Sequence, residues 1–329
     1  MKRFGHTLAW VLGACLIGYS LLFLVQHWQA MASLSLSNSA ILVLNIPLLF
    51  LNLLASGKLL DTSLKVLGID MQTSESFGLA CLARFANYLS FAQLGFALRM
   101  VYLKRQREVQ LSDSLSGIAL GNLVFYALSA MVIIGALFLV TEEDQVSGIG
   151  VNLMLWVSLI LATLLACLLI PLLVKRTRLS NSSVLAPYTS LLNKIVSSPG
   201  YGVSLTAWAT LLLGSFSLMQ WVEFTALGYH ARFAEVMLVS AFGSLAALIN
   251  LTPAGLGINE GLLFLAGGLV NVPENVLLAS ALLRRFIVFL TIALLSAWFA
   301  PRLFGSNMKA ILTELRKSGR PQAKPGQDD

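Results

Sequence analysis

Residues 250–260 read NLTPAGLGINE and interrupt one of the most apolar regions of the chain. Pro253 has no backbone N–H group, and Gly255 and Gly257 permit backbone angles that other residues avoid. Glu260 places a carboxylate directly after this break. A non-helical loop at membrane depth has to be buried in protein or line a wet cavity, because lipid cannot hydrogen-bond to free backbone groups. The stretch therefore predicts a loop that faces the interior.

The composition is that of an integral membrane protein. The chain has 329 residues, of which 57% are hydrophobic and 11% are charged, whereas soluble domains carry about 25% charged residues. Apolar runs of about 20 residues, long enough to cross a bilayer, recur along nearly the whole length. We expect one all-α membrane domain over residues 1–303 and a basic cytoplasmic tail over residues 304–329.

Cysteine and histidine positions give no sign of a disulfide framework or a metal site. The three cysteines, Cys15, Cys81 and Cys167, all lie in apolar segments. The three histidines are far apart in sequence, so we expect no metal and no cofactor. The apolar stretch near the N-terminus is too long for a typical signal peptide, and an uncleaved first span is expected.

Eight apolar segments follow one another along the chain. Six are long and uninterrupted, and they predict full spans at roughly 7–26, 39–57, 112–140, 149–174, 202–227 and 276–303. The other two, 76–103 and 234–270, each contain an interruption, at 89–95 and 250–257. Each interrupted segment is either one broken span or a re-entrant hairpin that enters and leaves on the same side.

The basic residues distinguish these two arrangements, because Lys and Arg concentrate in cytoplasmic loops. With two hairpins and the N-terminus inside, 17 of the 22 basic residues face the cytoplasm and only Arg232 faces outward. With two crossing segments, KRQR at 104–107 and KRTR at 175–178 face outward instead. The charges therefore predict about six full spans, two oppositely oriented re-entrant hairpins and cytoplasmic termini. Residues 39–140 and 202–303 then form candidate inverted repeats, as in many transporters.

The charged residues within apolar segments predict an anion site. The two carboxylates are Glu223 and Glu260, and the four arginines are Arg84, Arg99, Arg284 and Arg285. This excess of about two positive charges favours an anionic ligand, because intramembrane arginines usually face an interior cavity and arginine suits phosphate. We expect Glu260 and at least one of Arg284 and Arg285 to share a cavity with Arg99 near the midplane.

Structural interpretations of the same residues stay open. Glu260 either caps the half-helix after the loop or pairs with Arg284 or Arg285. Arg99 either faces a cavity or extends toward the cytoplasmic surface. Glu223, near the outer end of its span, lies either within the membrane or at the interface. Polar residues at depth, such as Asn87 and Asn250, also serve as contacts between helices.

Two motifs resemble one family. LINLTPAGLGINEGLL, followed by ASALLRRFIVFL, resembles the second signature of the lysylphosphatidylglycerol synthase transmembrane-region family, also called flippase-like domain proteins. ARFANYLSFAQLGFALRMVYLKR resembles its first signature. The resemblance runs over roughly the whole chain. It implies a lipid-binding or lipid-translocating role without lipid lysylation, because the soluble aminoacyl-transfer domain is expected to be absent.

The motifs and the intramembrane charges together give the predicted substrate-binding residues, and no catalytic residue is among them. They are Arg84, Asn87, Arg99, Asn250, Thr252, Pro253, Gly255, Gly257, Asn259, Glu260, Arg284 and Arg285.

Three functions compete at this stage. The first is a flippase-like protein of the bacterial inner membrane that binds and translocates an anionic phospholipid or a polyprenyl-phosphate-linked lipid. The second is a non-transporting subunit that serves protein partners in envelope lipid or glycan biosynthesis. The third, a transferase using polyprenyl phosphate, needs acidic metal ligands, and TEEDQ at 141–145 is the only acidic cluster. We therefore expect no enzyme and no nucleic-acid partner.

Overall fold

The computed structural model describes residues 38–89, 94–141, 157–158, 160–162, 185–246, 255 and 257–305. Its regular elements with defined ends are all helices. They are a 3-10 helix Ser39–Leu44 and the α-helices α1 (Asn45–Lys65), α2 (Thr73–Leu89), α3 (Leu94–Gln106), α4 (Leu111–Thr141), α5 (Leu185–Ser197), α6 (Pro199–Ala226), α7 (Phe233–Leu245), α8 (Ile258–Leu269) and α9 (Glu274–Phe304).

Within the described residues, four helical stretches are long and apolar enough to cross a membrane, and they coincide with four of the predicted spans. They are Ser39–Lys65, Leu111–Leu139, Pro199–Ala226 and Glu274–Phe304. The first continues past its predicted end at residue 57 to Lys65, and Lys58 and Asp61 form an ion pair of 3.0 Å within this extension. The predicted spans at 7–26 and 149–174 lie outside the described residues, apart from a few positions between 157 and 162.

Each interrupted segment forms two shorter helices that pack against each other, α2 with α3 and α7 with α8. Helices α3 and α7 have 13 residues and α8 has 12, so each is about 20 Å long or less. A hydrocarbon core is about 30 Å thick. None of these three helices therefore crosses a membrane alone, and the connections at 90–93 and 247–254 lie outside the described residues.

The helix contacts follow the same pattern in two stretches of the chain. Helices α1 and α6 pack along each other at the centre. Helix α2 packs on α9, and α7, which has the matching place in the second stretch, packs on α4. Each pair of helices in contact within α1–α4 also has a corresponding pair in contact within α6–α9.

The turns after α1 and α6 are also alike, and their corresponding residues lie 160 positions apart. Gly68 and Gly228 have φ angles of 87° and 77°, which residues with a Cβ rarely adopt. Glu75 then accepts a hydrogen bond from the Gln72 N–H at 3.3 Å. Its counterpart Glu235 accepts one from the Arg232 N–H at 3.1 Å. The same turn and the same side-chain cap therefore begin α2 and α7.

Glu75 also ties the start of α2 to the end of α3. Its Oε1 accepts hydrogen bonds of 2.8 Å from Tyr102 Oη and from Arg107 Nε. Burial acts to raise the pKa of the Glu75 carboxyl, but the hydrogen bonds from Arg107 and Tyr102 outweigh it and hold this pKa below its ordinary value. The carboxylate therefore stays charged and keeps the two helices joined at this end.

Helix α5 was not among the predicted elements. It buries Leu191 and Leu192 against α4 and α6 while Lys194 is exposed. The described side chains of its 13 residues are divided between a buried apolar face and an exposed, mainly polar face. The sequence therefore has no apolar run of spanning length at this helix.

Gly95 is expected to be indispensable for the packing of α3 on α2. A Cβ at Gly95 would lie 2.1 Å from the Ala83 carbonyl oxygen and 2.7 Å from Asn87 Oδ1. We predict that Gly95→Ala lowers the free energy of unfolding by about 1–3 kcal/mol, as overpacked sites do. Thermal unfolding in detergent measures this. Gly135→Ala is the matched control, because its Cβ would meet no atom within 4 Å. Equal melting temperatures for the two variants would contradict the packing described.

Candidate functional site

The largest group of predicted site residues surrounds one interior cavity of about 170 Å³, called here the main cavity. Helices α1, α2 and α6–α9 surround it, together with Gly255 from the interruption at 250–257, called here the broken loop. Its walls are formed by Asn52, Arg84, Tyr88, Phe216, Met219, Gly243, Ala246, Gly255, Asn259, Ala281, Arg284, Arg285 and Val288. Three of the four intramembrane arginines therefore meet there.

Arg284 is held in a buried network that joins α9 to α6. Its Nε lies 3.0 Å from each carboxylate oxygen of Glu223, and its Nη2 lies 2.6 Å from Oε2. Nη2 also donates to Gln220 Oε1, and the guanidinium lies 4.5 Å from the centre of the Phe216 ring. Glu223 is 0% exposed and Arg284 is 8% exposed. The charge of Arg284 is thus already neutralised by the protein.

The same network continues through neutral groups. Asn45 Nδ2 donates to Glu223 Oε1 at 3.4 Å, and Gln220 Nε2 donates to Ser280 Oγ at 3.1 Å. Glu223 and Gln220 were not among the predicted site residues, and the structure buries Glu223 completely against Arg284. The signal available in the sequence was the spacing of three between them, which places both on one face of α6.

Glu260 has both of the roles that the sequence left open, since it caps a helix and pairs with an arginine. Its Oε2 accepts a hydrogen bond of 2.7 Å from the Gly257 N–H, which caps α8. Its Oε1 lies 2.5 Å from Arg285 Nη2. This second contact is an ion pair without hydrogen-bond alignment, since Arg285 Nε and Nη2 have no hydrogen-bond acceptor among the described residues. Arg285 is therefore neutralised but not fully satisfied.

The glycines of the broken loop have the backbone angles that the sequence suggested. Gly255 has a φ angle of 68° and Gly257 one of 83°. Both values lie in the left-handed region, which a residue with a Cβ enters only at a cost. Gly257 places its N–H group on Glu260, and Gly255 lies against the main cavity.

Arg84 is the arginine of the main cavity that no described carboxylate compensates. It lies on α2, two turns after Phe77, and faces the cavity beside Tyr88. Among the described residues, it has neither an ion-pair nor a hydrogen-bond partner. The excess positive charge of the main cavity is therefore located on Arg84, rather than on Arg284 or Arg285.

Arg99 does not line the main cavity, and this corrects the expectation that it shares one with Arg284 and Arg285. It lines a separate cavity of about 40 Å³, called here the small cavity. Its Nη2 donates to Ser56 Oγ at 3.5 Å. Arg84 and Arg99 line different cavities because α2 packs on α9, which holds Arg284 and Arg285, whereas α3 packs on α2 and α4.

The remaining predicted residues have different places. Asn259 lines the main cavity. Asn87 accepts a hydrogen bond of 2.7 Å from the Gly95 N–H and so connects α2 with α3. Asn250, Thr252 and Pro253 lie outside the described residues. Within the described ranges, there is no group of three or more His, Cys, Asp and Glu residues that could hold a metal ion.

A comparison with protein families matches residues 10–296 to the family described as lysylphosphatidylglycerol synthase TM region. The chain belongs to this family. Searches of curated proteins and of solved structures found no match. The TM-region match includes every residue that lines the main cavity and the small cavity. Membership in the TM-region family supports a membrane protein with a lipid-related role.

Proposed function

We propose that the protein binds the anionic headgroup of a lipid in the main cavity and moves that lipid between the leaflets of the bacterial inner membrane. The lipid is an anionic phospholipid or a polyprenyl-phosphate-linked lipid. The observation that carries this proposal is Arg84, a cation that faces the main cavity and has no carboxylate partner among the described residues.

Charge at this cavity favours an anionic ligand. Glu223 offsets Arg284, and Glu260 offsets Arg285, so Arg84 leaves the cavity with about one positive charge. An arginine at the centre of a bilayer costs about 2.5–3.5 kcal/mol on insertion scales. A phosphate group offsets this cost with charge-assisted hydrogen bonds, for which the planar guanidinium is well suited.

The size and lining of the main cavity are also suitable for a headgroup. One water needs about 10–15 Å³ of such a cavity, so about 170 Å³ holds on the order of ten waters, or one phosphate group with a small substituent. Asn259 adds a hydrogen-bonding group, and Tyr88 and Phe216 add aromatic surface, whereas the Asn52 amide already donates to Leu212 O and Ser215 Oγ. Such a mixture of apolar walls and a few polar groups is typical of ligand sites.

An inverted-repeat transporter is the architecture that we propose for this activity. The paired short helices α2–α3 and α7–α8, the corresponding helix contacts and the matching turns support it. In this arrangement, residues 39–140 and 202–303 have opposite orientations, and each pair of short helices is a re-entrant hairpin. Rocking of one repeat against the other then exposes the headgroup to each leaflet in turn.

The proposed topology predicts which positions are accessible from outside. Single cysteines in a cysteine-free chain are labelled with a membrane-impermeant reagent in intact cells. A cysteine at Glu274 is expected to react, whereas one at Arg105 is expected to react only after lysis. Outside labelling at Arg105 would contradict the hairpin formed by α2 and α3.

Reconstituted vesicles test the transport function. The purified protein is placed in liposomes that contain a labelled anionic phospholipid or a labelled zwitterionic one, and a membrane-impermeant quencher measures the label in each leaflet. We expect movement of the anionic lipid above that of protein-free liposomes. Tight binding of the lipid without movement would instead favour the non-transporting subunit.

The proposed role is transport without catalysis or a cofactor. A transferase that uses polyprenyl phosphate would need acidic metal ligands, and the acidic residues at 142–144 lie outside the described residues. In the same assay, a lipid recovered with a changed headgroup would favour a transferase and would contradict the proposal.

A further inference from the structure

The main cavity and the small cavity occupy corresponding places in the two halves of the protein. Ser56, Ser63 and Arg99 of the small-cavity half lie 160 positions before Phe216, Glu223 and Asn259 of the other half. For the last helix of each half, the offset between corresponding residues is 163 positions, because α4 ends at Thr141 and α9 ends at Phe304. At that offset, Gly121 and Asn122 of the small cavity correspond to Arg284 and Arg285.

The charges at these corresponding places are not the same. In the half around the main cavity, two arginines on α9 are each neutralised by a carboxylate, Glu223 or Glu260. Among the described residues that line the small cavity, the single cation is Arg99, which comes from α3. The positions that correspond to Glu223 and Glu260 are occupied by Ser63 and Met100. The protein thus has Arg99 in its interior but no acidic residue at the corresponding places.

Among the described residues, Arg99 has no counter-charge. Its Nε is buried without a hydrogen-bond partner in the described part of the chain, and its Nη2 donates a long hydrogen bond of 3.5 Å to Ser56 Oγ. Arg99 forms no ion pair with any described carboxylate. Electrostatic repulsion from Arg84 adds to the cost of its charge. A charge buried in this way requires a partner, because desolvation of an unpaired ion is expensive.

The size of the small cavity limits what this partner is. About 40 Å³ holds roughly three waters at about 10–15 Å³ each. A halide ion fits this space, whereas a lipid headgroup with its glycerol does not. Ser56 and Asn122, which line the small cavity, have side-chain groups able to donate hydrogen bonds to an anion, whereas the Ser63 hydroxyl already donates to the Leu60 carbonyl oxygen.

We propose that the small cavity binds one halide-sized inorganic anion, with chloride as the physiological example, as the counter-ion of Arg99. In this arrangement, the bound anion takes the place that Glu223 has in the other half. This inference does not depend on lipid transport by the main cavity, because it rests on the charge and the volume of the small cavity alone.

Chloride-dependent stability tests the proposal. The purified protein is unfolded thermally in sodium chloride and in sodium gluconate at equal ionic strength, since gluconate is too large for the small cavity. We expect chloride to raise the melting temperature by about 2–4 °C in a saturable manner, as a ligand of the folded state does. Arg99→Gln should abolish this difference, and Arg302→Gln, which changes an exposed arginine at the end of α9, should keep it.

Ser63→Glu provides a second test that does not remove Arg99. It places a carboxylate at the position that corresponds to Glu223, so we expect the variant to melt at the same temperature in chloride and in gluconate. Anomalous scattering from bromide in crystals, or bound ³⁶Cl per chain, should show one site in the wild type and none in Ser63→Glu. Equal wild-type stability in both salts with no bound halide would overturn the proposal. Loss of the chloride effect when anionic phospholipid is added would overturn it too, because a lipid phosphate would then be the anion.

Discussion

Glu223→Gln is expected to destabilise the protein by about 3–5 kcal/mol, because it leaves the charge of Arg284 buried without its partner. Three contacts between Arg284 and the Glu223 carboxylate lie at 3.0 Å or less. A glutamine at 223 retains the volume and one acceptor oxygen but not the charge. Thermal unfolding in detergent should show a decrease of the melting temperature on the order of 10 °C, at about 2–4 °C per kcal/mol.

Two further variants make this expectation specific. Glu274→Gln changes an exposed carboxylate in the first turn of α9 and should melt within about 1 °C of the wild type, as surface substitutions do. Adding Arg284→Met to Glu223→Gln should recover most of the lost stability, since apolar replacement of a whole buried ion pair is often tolerated. A single variant Glu223→Gln as stable as the wild type would show that this ion pair does not hold α6 and α9 together.

Arg84→Gln is expected to reduce movement of the anionic lipid by about 10-fold to 100-fold. Arg84 is the arginine of the main cavity without a carboxylate partner among the described residues. A hydrogen bond to a charged group contributes about 1.5–3 kcal/mol, which corresponds to this range at about 1.4 kcal/mol per factor of ten. The rate of label loss in the reconstituted vesicles measures it.

Stability separates this effect from misfolding. Loss of an arginine that is not ion-paired should leave the melting temperature near that of the wild type, whereas variants of Arg284 fail through the Glu223 network. Arg302→Gln is the matched control, because this arginine stacks on Trp298 at the end of α9, outside both cavities. A transport rate for Arg84→Gln within twofold of the wild type would show that the headgroup does not bind at Arg84.

Much of the fold could be predicted because it depends on local properties of the chain. Runs of apolar residues long enough for a bilayer marked the four described spans. Interruptions by glycine and proline located the ends of the paired short helices, and Gly255 and Gly257 have the positive φ angles that their positions suggested. Helix α5 escaped this reasoning because its apolar side is only one face of a short helix.

The sequence by itself determined the set of intramembrane charges, four arginines and two carboxylates, and hence that positive charge is in excess. Only the tertiary structure decided how they pair, because a charge at one position meets whichever side chain packing brings within a few ångströms. Glu223 and Arg284 are separated by 61 residues and meet because α9 packs on α6. Glu260 takes Arg285, so the uncompensated charges are left on Arg84 and Arg99, which α2 and α3 place in two different cavities.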